Sequence, residues 1–560
     1  MESERSLPTV ILPPSFARRE VSPPVGVCIS LDRKSYFPTI ETEDGEVSPH
    51  GFLEWLVGKN VFVSVRQRGL FDSVLRGLPS DVLASLALAG RASFRDFVLY
   101  LYGRDGCLSV RRGNAWGSLA NVDKLCPQVQ SPRGVRLAVE LAMARMRRYG
   151  FPDIDFRSVG RVAQDIFLRH CRFQPRPPGK HLWRHLQSFK GARMEGVVFG
   201  SSEVYDYDIR SAFPSFVAGL VGTRGMKWSE STSYDPEAIY GAARCDVYVN
   251  ERLLRGPIAV RDGESSLYFP VGELSNVWVC KPELDLLYEY PELGRVVRIH
   301  EASWGLGGYG VRPYRRLLKY LFDLRGSDEF LSPYLKFVMA ALWGKFISSY
   351  PVVKDLETGE GWMQSGPLYN PVFGSHVTSA MRCHLYRLSL GLDVVGEFID
   401  GVSVPKPLKS DGFGGGLGSI VEKGHGRMVL FSDSVKGCEW KNPEVLEIAA
   451  SQASERKLEL PMEYLHTLKS AVQRFGSLRA GSQIGRLFST TQLVRLGSSM
   501  RFMGEDALRV GDFLEGRVQS WPPKMGEVRF FKFVKGSDLF ESPFLTDVNE
   551  ALLLQEIDGR

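Results

Sequence analysis

The sequence predicts a multidomain protein of mixed α/β and α+β class. Three observations predict it. At 560 residues and 44% hydrophobic content the chain exceeds what one core usually holds, so roughly two to four subdomains are expected. From about residue 25 to 165, strand-like runs (VGVCISL, NVFVSV) alternate with helix-like runs (HGFLEWLV, VRLAVELAMARMRRYG), the pattern of an α/β layer. Between 200 and 300, strands with turn punctuation dominate, and helical patterns follow them.

Taken in order, residues 1–24 are Pro-rich and read as a loose arm, and 25–165 form a first domain. Residues 166–194, IFLRHCRFQPRPPGKHLWRHLQSFKGARM, hold five Arg, two Lys and no acid, with Phe173, Trp183 and Phe189 among the cations. Cations follow a phosphate backbone while aromatic faces stack bases, so this tract fits a single-stranded nucleic-acid path; a solvated basic linker is the plainer alternative. RPYRRLLKYLFDLRGSDEF and SPYLKFVMAALWGKF read as two helices joined near Gly326, with Ser332 as cap and Pro333 in the first turn. GSHVTSAMRCHLYRLSLG, 374–391, reads as an amphipathic helix, and GFGGGLG, 412–418, as a loop. A second acid-free tract, Tyr464 to Met503, carries Lys469, Arg474, Arg479, Arg486, Arg495 and Arg501, which suits either a duplex clamp or an ordinary basic face.

Seventy Lys plus Arg against 64 Asp plus Glu leave a net +6, so an acidic partner would have to meet clustered rather than total charge. The eight cysteines (28, 107, 126, 171, 245, 280, 383, 438) include no CxxC pair, which argues against structural zinc and a disulfide scaffold and suits a reducing cytoplasm. No run approaches about 18 apolar residues, so a soluble cytoplasmic protein without membrane contact is expected.

Two carboxylates stand out. In YDYDIRSAFPSF, Asp208 closes an aromatic-rich strand just before a Ser-Ala-Phe-Pro break, where a carboxylate is either a solvated turn residue or a metal ligand. In VVGEFIDGVSVPKP, Asp-Gly between apolar runs signals a hairpin with Asp400 at or beside its tip. Two such strand ends can converge, and a pair of Asp residues holding two Mg²⁺ is what nucleotidyl transfer needs. Between them lies KFVMAALWGKF, where Lys336 and Trp343, seven apart, share a helix face.

The order of these residues resembles a family B DNA polymerase, most of all the protein-primed type of small phages and linear plasmids. The likeness covers roughly 185 to 440 well and the N-terminal part weakly. Asp208, Ser211, Phe213, Pro214 and Ser215 are similar to the first palm motif, with Phe213 at the aromatic that closes against a ribose 2′-hydroxyl. Lys336 to Phe346 resembles the fingers motif, with Ala340 and Ala341 for Asn and Ser and Trp343 for Tyr beside Gly344. The third motif, EFIDGVSV, offers one Asp where the family has two. Aligning Asp400 with the metal-binding Asp keeps the strand register; the other alignment leaves Val402 at that place and predicts an inactive protein. Phe189, Gly191 and Ala192 in FKGA resemble a template-strand motif, and Lys436 in VKGCEW the lysine of a primer-strand motif.

The resemblance implies a right-hand fold: exonuclease-like domain 25–165, template-strand linker 166–200, palm 201–310 with an insertion of the protein-primed type, fingers 311–350, palm 351–440, and thumb with C-terminal region 441–560. It implies template-directed DNA synthesis for a viral or plasmid genome by a monomer. Asp208, Asp400 and the Ile209 carbonyl would hold two Mg²⁺ (or Mn²⁺). Lys336, Arg325, Phe213, Ser211, Trp343 and Gly344 would bind the nucleotide. Phe189, Gly191, Ala192, Lys436 and Arg382 would contact DNA, and the partners would be primer-template, dNTPs and a terminal priming protein. GELSNVWVCKPELDLLYEY resembles part of the priming insertion, and KDLETGEGWMQ a second insertion reduced to a hairpin. A proofreading site needs about four carboxylates, but Cys28 and Ser30 precede a lone Asp32, Arg66 and Gln67 precede Phe71 and Asp72, and the third motif offers no Asp, so proofreading is expected to be absent.

Overall fold

The computed structural model describes residues 23–32, 37–102, 106–125, 129, 131–152, 154–156, 158–261, 267–353, 361–452 and 457–495. The N-terminal layer is an eight-stranded mixed sheet. Its centre is parallel, Pro24–Leu31 beside Asn60–Val63 beside Ala115–Asn121, each pair joined by a long connection that holds both helix and further strands of the sheet. An antiparallel meander, Ala115–Asn121, Cys107–Arg112, Phe97–Tyr102 and Arg91–Phe94, extends one side. Helix Pro132–Arg148 lies across the first strand so closely that a Cβ on Gly26 would sit 1.8 Å from the Pro132 carbonyl oxygen. Only glycine fits there.

At the centre of the chain is a six-stranded antiparallel sheet in the spatial order Lys436–Cys438, Ile420–Leu430, Gly200–Ile209, Gly401–Val404, Gly396–Phe398, Met194–Gly196. Helices Ala212–Gly219 and Pro371–Leu388 pack together beside it through Ala212, Met381 and Leu385, together with Ile209 of the sheet. Helices Arg315–Ser327, Ser332–Lys345 and Val159–His170 form an adjoining layer. In the second of these, Tyr334, Leu335, Val338, Met339 and Leu342 face inward, each aliphatic burial stabilising by about 1.5–3 kcal/mol, and Lys336 faces out. This helix is capped by Leu331 rather than by the expected Ser332. A four-stranded antiparallel sheet (Met226–Ser231, Gly294–Gly307, Tyr240–Val249, Gly272–Cys280) with helix Lys281–Glu289 occupies the stretch expected to be an insertion. The second expected insertion is a hairpin, Ser349–Val353 paired with Gly361–Ser365.

The basic tract at 166–200 is not a loose linker. Its helix Gly179–Ser188 is wedged between Pro371–Leu388 and the four-stranded sheet, with His181, His185 and Leu186 buried. The amphipathic spacing that reads as a basic face also supplies an apolar one. In the second basic tract, helices Leu468–Phe475 and Ser477–Gln483 dock on the N-terminal layer, sharing its core through Leu468, Ala471, Ala480 and Ile484. Arg501 and the residues of the expected arm before 23 lie outside the described residues. Among those residues no helix is long and apolar enough to cross a membrane, and the seven described cysteines are free thiols.

Candidate active site

Asp208 is the penultimate residue of the central strand, just before the chain turns into helix Ala212–Gly219, and it lies opposite Gly401 in the sheet. The turn carrying Asp400 is shifted by one residue from the Asp-Gly signal: Phe398 pairs with Gly401, so Ile399 and Asp400 are the turn. Gly401 is instead required by close approach, since a Cβ there would stand 2.5 Å from the Tyr207 carbonyl oxygen. Ile399 has φ +62, a left-handed conformation that β-branched residues avoid. Backbone bonds hold it: Ile399 donates to the Arg193 carbonyl (2.7 Å), and Ile209 donates to the Asp400 carbonyl (2.9 Å).

The hairpin is anchored from below by a group that sequence patterning did not single out. Glu397, fully buried, sits 2.6 Å from both the Arg193 and Arg255 guanidinium groups, which in turn lie over the Phe269 and Tyr386 rings at 4.0 and 4.4 Å. One acid inside the apolar run VVGEFI was the available signal, because a buried charge demands a partner.

The two carboxylates meet. Burial, then the Asp208 charge and a hydrogen bond with its carboxyl, push Asp400 up to about 7. Lys423, from strand Ile420–Leu430, places its Nζ 2.7 Å from Asp208 Oδ2 and is a second residue missed by sequence. Asp206, two residues before Asp208, is engaged elsewhere: it accepts from Ser403 Oγ (2.6 Å) and faces Lys436 Nζ at 3.6 Å. Lys436 also lies 3.8 Å from the centroid of the Phe398 ring, which folds back over Gly396, so its ammonium sits at the level of Asp206 on the strands that lead to the hairpin.

On the other side of Asp208, Ser211 adopts φ +52 at the head of its helix and accepts a hydrogen bond from Arg325 (3.0 Å). Burial and neighbouring Arg210 depress the Arg325 guanidinium. Phe213 stacks face to face on Trp343, centroids 4.5 Å apart and planes 12° apart, joining the two helices that carry them. Lys336 projects from the Trp343 helix two turns earlier, exposed and without an ion pair among the described residues, while Gly344 follows Trp343 half-buried. The side chain of Ile209 is buried, so only its backbone is free to face the site.

Two expected DNA contacts are placed differently. Arg382 is 2% exposed, paired with buried Glu283 at 2.7 Å, and donates to the Lys190 and Gly191 carbonyls (3.0 and 2.6 Å). Its charge is consumed internally, so it positions the 189–192 segment and cannot reach a phosphate. Phe189, 3% exposed, is a core side chain and not a stacking platform. Gly191 and Ala192 remain half-buried on the segment Arg382 fixes. In the N-terminal layer, Asp72 is buried against Arg68 (2.6 Å) and accepts the Leu468 amide (2.9 Å), and Phe71 is fully buried. Asp72 therefore serves the docking of the C-terminal helices.

No family model and no curated protein matches the sequence. Solved structures do. Phi29 DNA polymerase complexed with primer-template DNA and incoming nucleotide substrates matches over 84% of this chain and 98% of that one, with TM-score 0.52 and 11% identity. An orthorhombic crystal form of phi29 DNA polymerase matches over 72% and 85%, with TM-score 0.51 and 11% identity. The fold is similar to that of phi29 DNA polymerase.

Among the described residues no group of three or more His, Cys, Asp or Glu is poised for a metal. The groups here that could hold one are Asp208, Asp400 and backbone carbonyls. Two carboxylates held close enough to raise the proton affinity of one fit an oxygen-ligated divalent cation, and Mg²⁺ usually takes only one or two carboxylates, the rest being water and phosphate oxygens.

Proposed function

We propose that the chain is a template-directed DNA polymerase of the family B type, adding deoxynucleotides to a primer 3′-hydroxyl. The observation that carries this is the convergence of Asp208 and Asp400, at a strand end and in the adjoining hairpin turn, with Arg325 bonded to Ser211 and Phe213 stacked on Trp343 just after the first. The phi29-like fold supports it.

Asp208, Asp400 and the Ile209 carbonyl would hold Mg²⁺, or Mn²⁺ in its place, as two ions. When bound, such ions lower the pKa of the attacking hydroxyl and neutralise the triphosphate. The protein's own groups do the positioning. Exposed Lys336 and half-buried Arg325 offer charge to the triphosphate, Arg325 being aimed by Ser211. Phe213 bounds the sugar and Trp343 backs the base, so the Phe213–Trp343 stack must part to admit a nucleotide. Lys436 holds the primer end. The helix Ala212–Gly219 belongs to the palm, Arg315–Lys345 to the fingers, and the four-stranded sheet to an insertion that suits a terminal priming protein. Asp72 of the exonuclease-like layer is engaged by Arg68 and the Leu468 amide, which is what supports a layer without proofreading.

A second reading, an inactive nucleic-acid-binding relative, is favoured by one observation: Lys423 already occupies Asp208. Extension of a labelled primer-template with dNTPs and Mg²⁺, beside Asp400→Asn, separates the two. Extension by the wild type alone supports the polymerase; retained DNA binding with no extension in Mg²⁺ or Mn²⁺ supports the scaffold.

A further inference from the structure

The antiparallel meander of the N-terminal layer presents a strip of side chains that no step above uses. Arg91 lies directly across from Tyr100, and Arg111 directly across from Trp116, so all four share one face of the sheet. The rings of Tyr100 and Trp116 stack side by side, centroids 5.7 Å apart and planes 25° apart. The guanidinium carbons of Arg91 and Arg111 lie 5.5 and 5.6 Å from the Tyr100 and Trp116 centroids. Neither arginine has an ion pair among the described residues, and Arg91 Nε is shielded without a hydrogen-bond acceptor. The Arg112–Asp96 pair belongs to the opposite face, since Arg112 lies across from the core residue Phe97, and it leaves this charge uncancelled. Residues 91–116 carry five Arg against two Asp. Trp116 is 36% exposed.

We infer that this strip binds single-stranded nucleic acid, its bases stacking on Trp116 and Tyr100 and its phosphates lying against Arg111 and Arg91. Two aromatic planes flanked by two unneutralised cations match a polyanion that displays flat faces. A duplex does not, because its bases are already stacked inward. The strip requires no metal or nucleotide and stands whether or not the chain synthesises DNA.

The test uses the full chain, first saturated with unlabelled hairpin primer-template and then titrated with a labelled oligothymidine of about ten nucleotides, within the site sizes usual for such surfaces. Trp116→Ala should weaken oligomer binding about tenfold, the worth of one lost base stack. Arg91→Gln with Arg111→Gln, a variant that leaves the rings in place, should weaken it and lower the salt slope by about 1.4, two phosphate contacts on a single strand. Primer-template affinity should not change in either. Oligomer binding that is unchanged in both variants, or absent from the saturated wild type, overturns the inference. If primer-template itself fails to bind, the same titration on the unsaturated chain decides the strip alone, which keeps its failure distinct from that of the polymerase reading.

Discussion

At the scale of the residue, the site depends on charge brought together at a cost. Asp400 is raised to about 7, so between about pH 4 and 7 the folded chain keeps a proton that the unfolded chain has lost. Stability therefore falls as pH rises through that window, and the full penalty stands above it. Asp400→Asn should melt higher than the wild type at pH 8 in chelator, with the gap closing toward pH 4; added Mg²⁺ should reverse the order at pH 8. Scanning calorimetry at both pH values checks this, and a variant that melts lower at pH 8 in chelator refutes it. Phe213 gives a second residue-scale prediction. Its ring stacks on Trp343, and if it bounds the sugar as proposed, Phe213→Ala should raise ribonucleotide use relative to deoxynucleotide use by about 10- to 200-fold, the discrimination that 1–3 kcal/mol of apolar contact supplies. Unchanged sugar selectivity in single-nucleotide incorporation would remove Phe213 from that role.

At the scale of the element, the hairpin that carries Asp400 and the 189–192 segment are held by buried ion pairs. Arg382→Met leaves Glu283 charged and unpaired at zero exposure, so a loss of about 3–5 kcal/mol is expected in denaturant unfolding. Adding Glu283→Gln should restore much of it; a loss that the second change does not relieve would mean Arg382 works through packing alone. These elements also show how far the sequence could be read. Asp208, Asp400, Lys336 and Trp343 were legible because strand ends, an Asp-Gly step and a seven-residue spacing are local signals, and Phe213 through the resemblance of its motif. The one-residue shift of the turn was not, because it is set by the approach of Gly401 to the Tyr207 carbonyl, a contact 194 residues away in sequence (401 − 207). Arg382 and Phe189 misled for the same reason. A cation or ring in a basic tract looks alike whether it meets solvent or, as here, Glu283 and the core.

At the scale of the whole molecule, three histidines, His181, His185 and His376, lie in the region where helices Gly179–Ser188 and Pro371–Leu388 meet the four-stranded sheet. Burial holds them down to about 4, 3 and 4. The unfolded chain takes protons near pH 6.5 that the folded chain refuses, so stability is lost as pH falls from 6.5 toward 4. His185→Asn should flatten the fall of melting temperature over that range; an unaltered slope would place the acid sensitivity elsewhere. The contact between Asp72 and the Leu468 amide has a further consequence, for the order of events during synthesis. Those partners are 396 residues apart. At about 5–20 residues per second the ribosome needs on the order of 20–80 s to travel between them. For that interval the nascent N-terminal layer waits with the seat for Leu468, Ala471, Ala480 and Ile484 empty. A layer whose own residues all lie before residue 125 is thus completed only by helices that follow about 340 residues later (468 − 125).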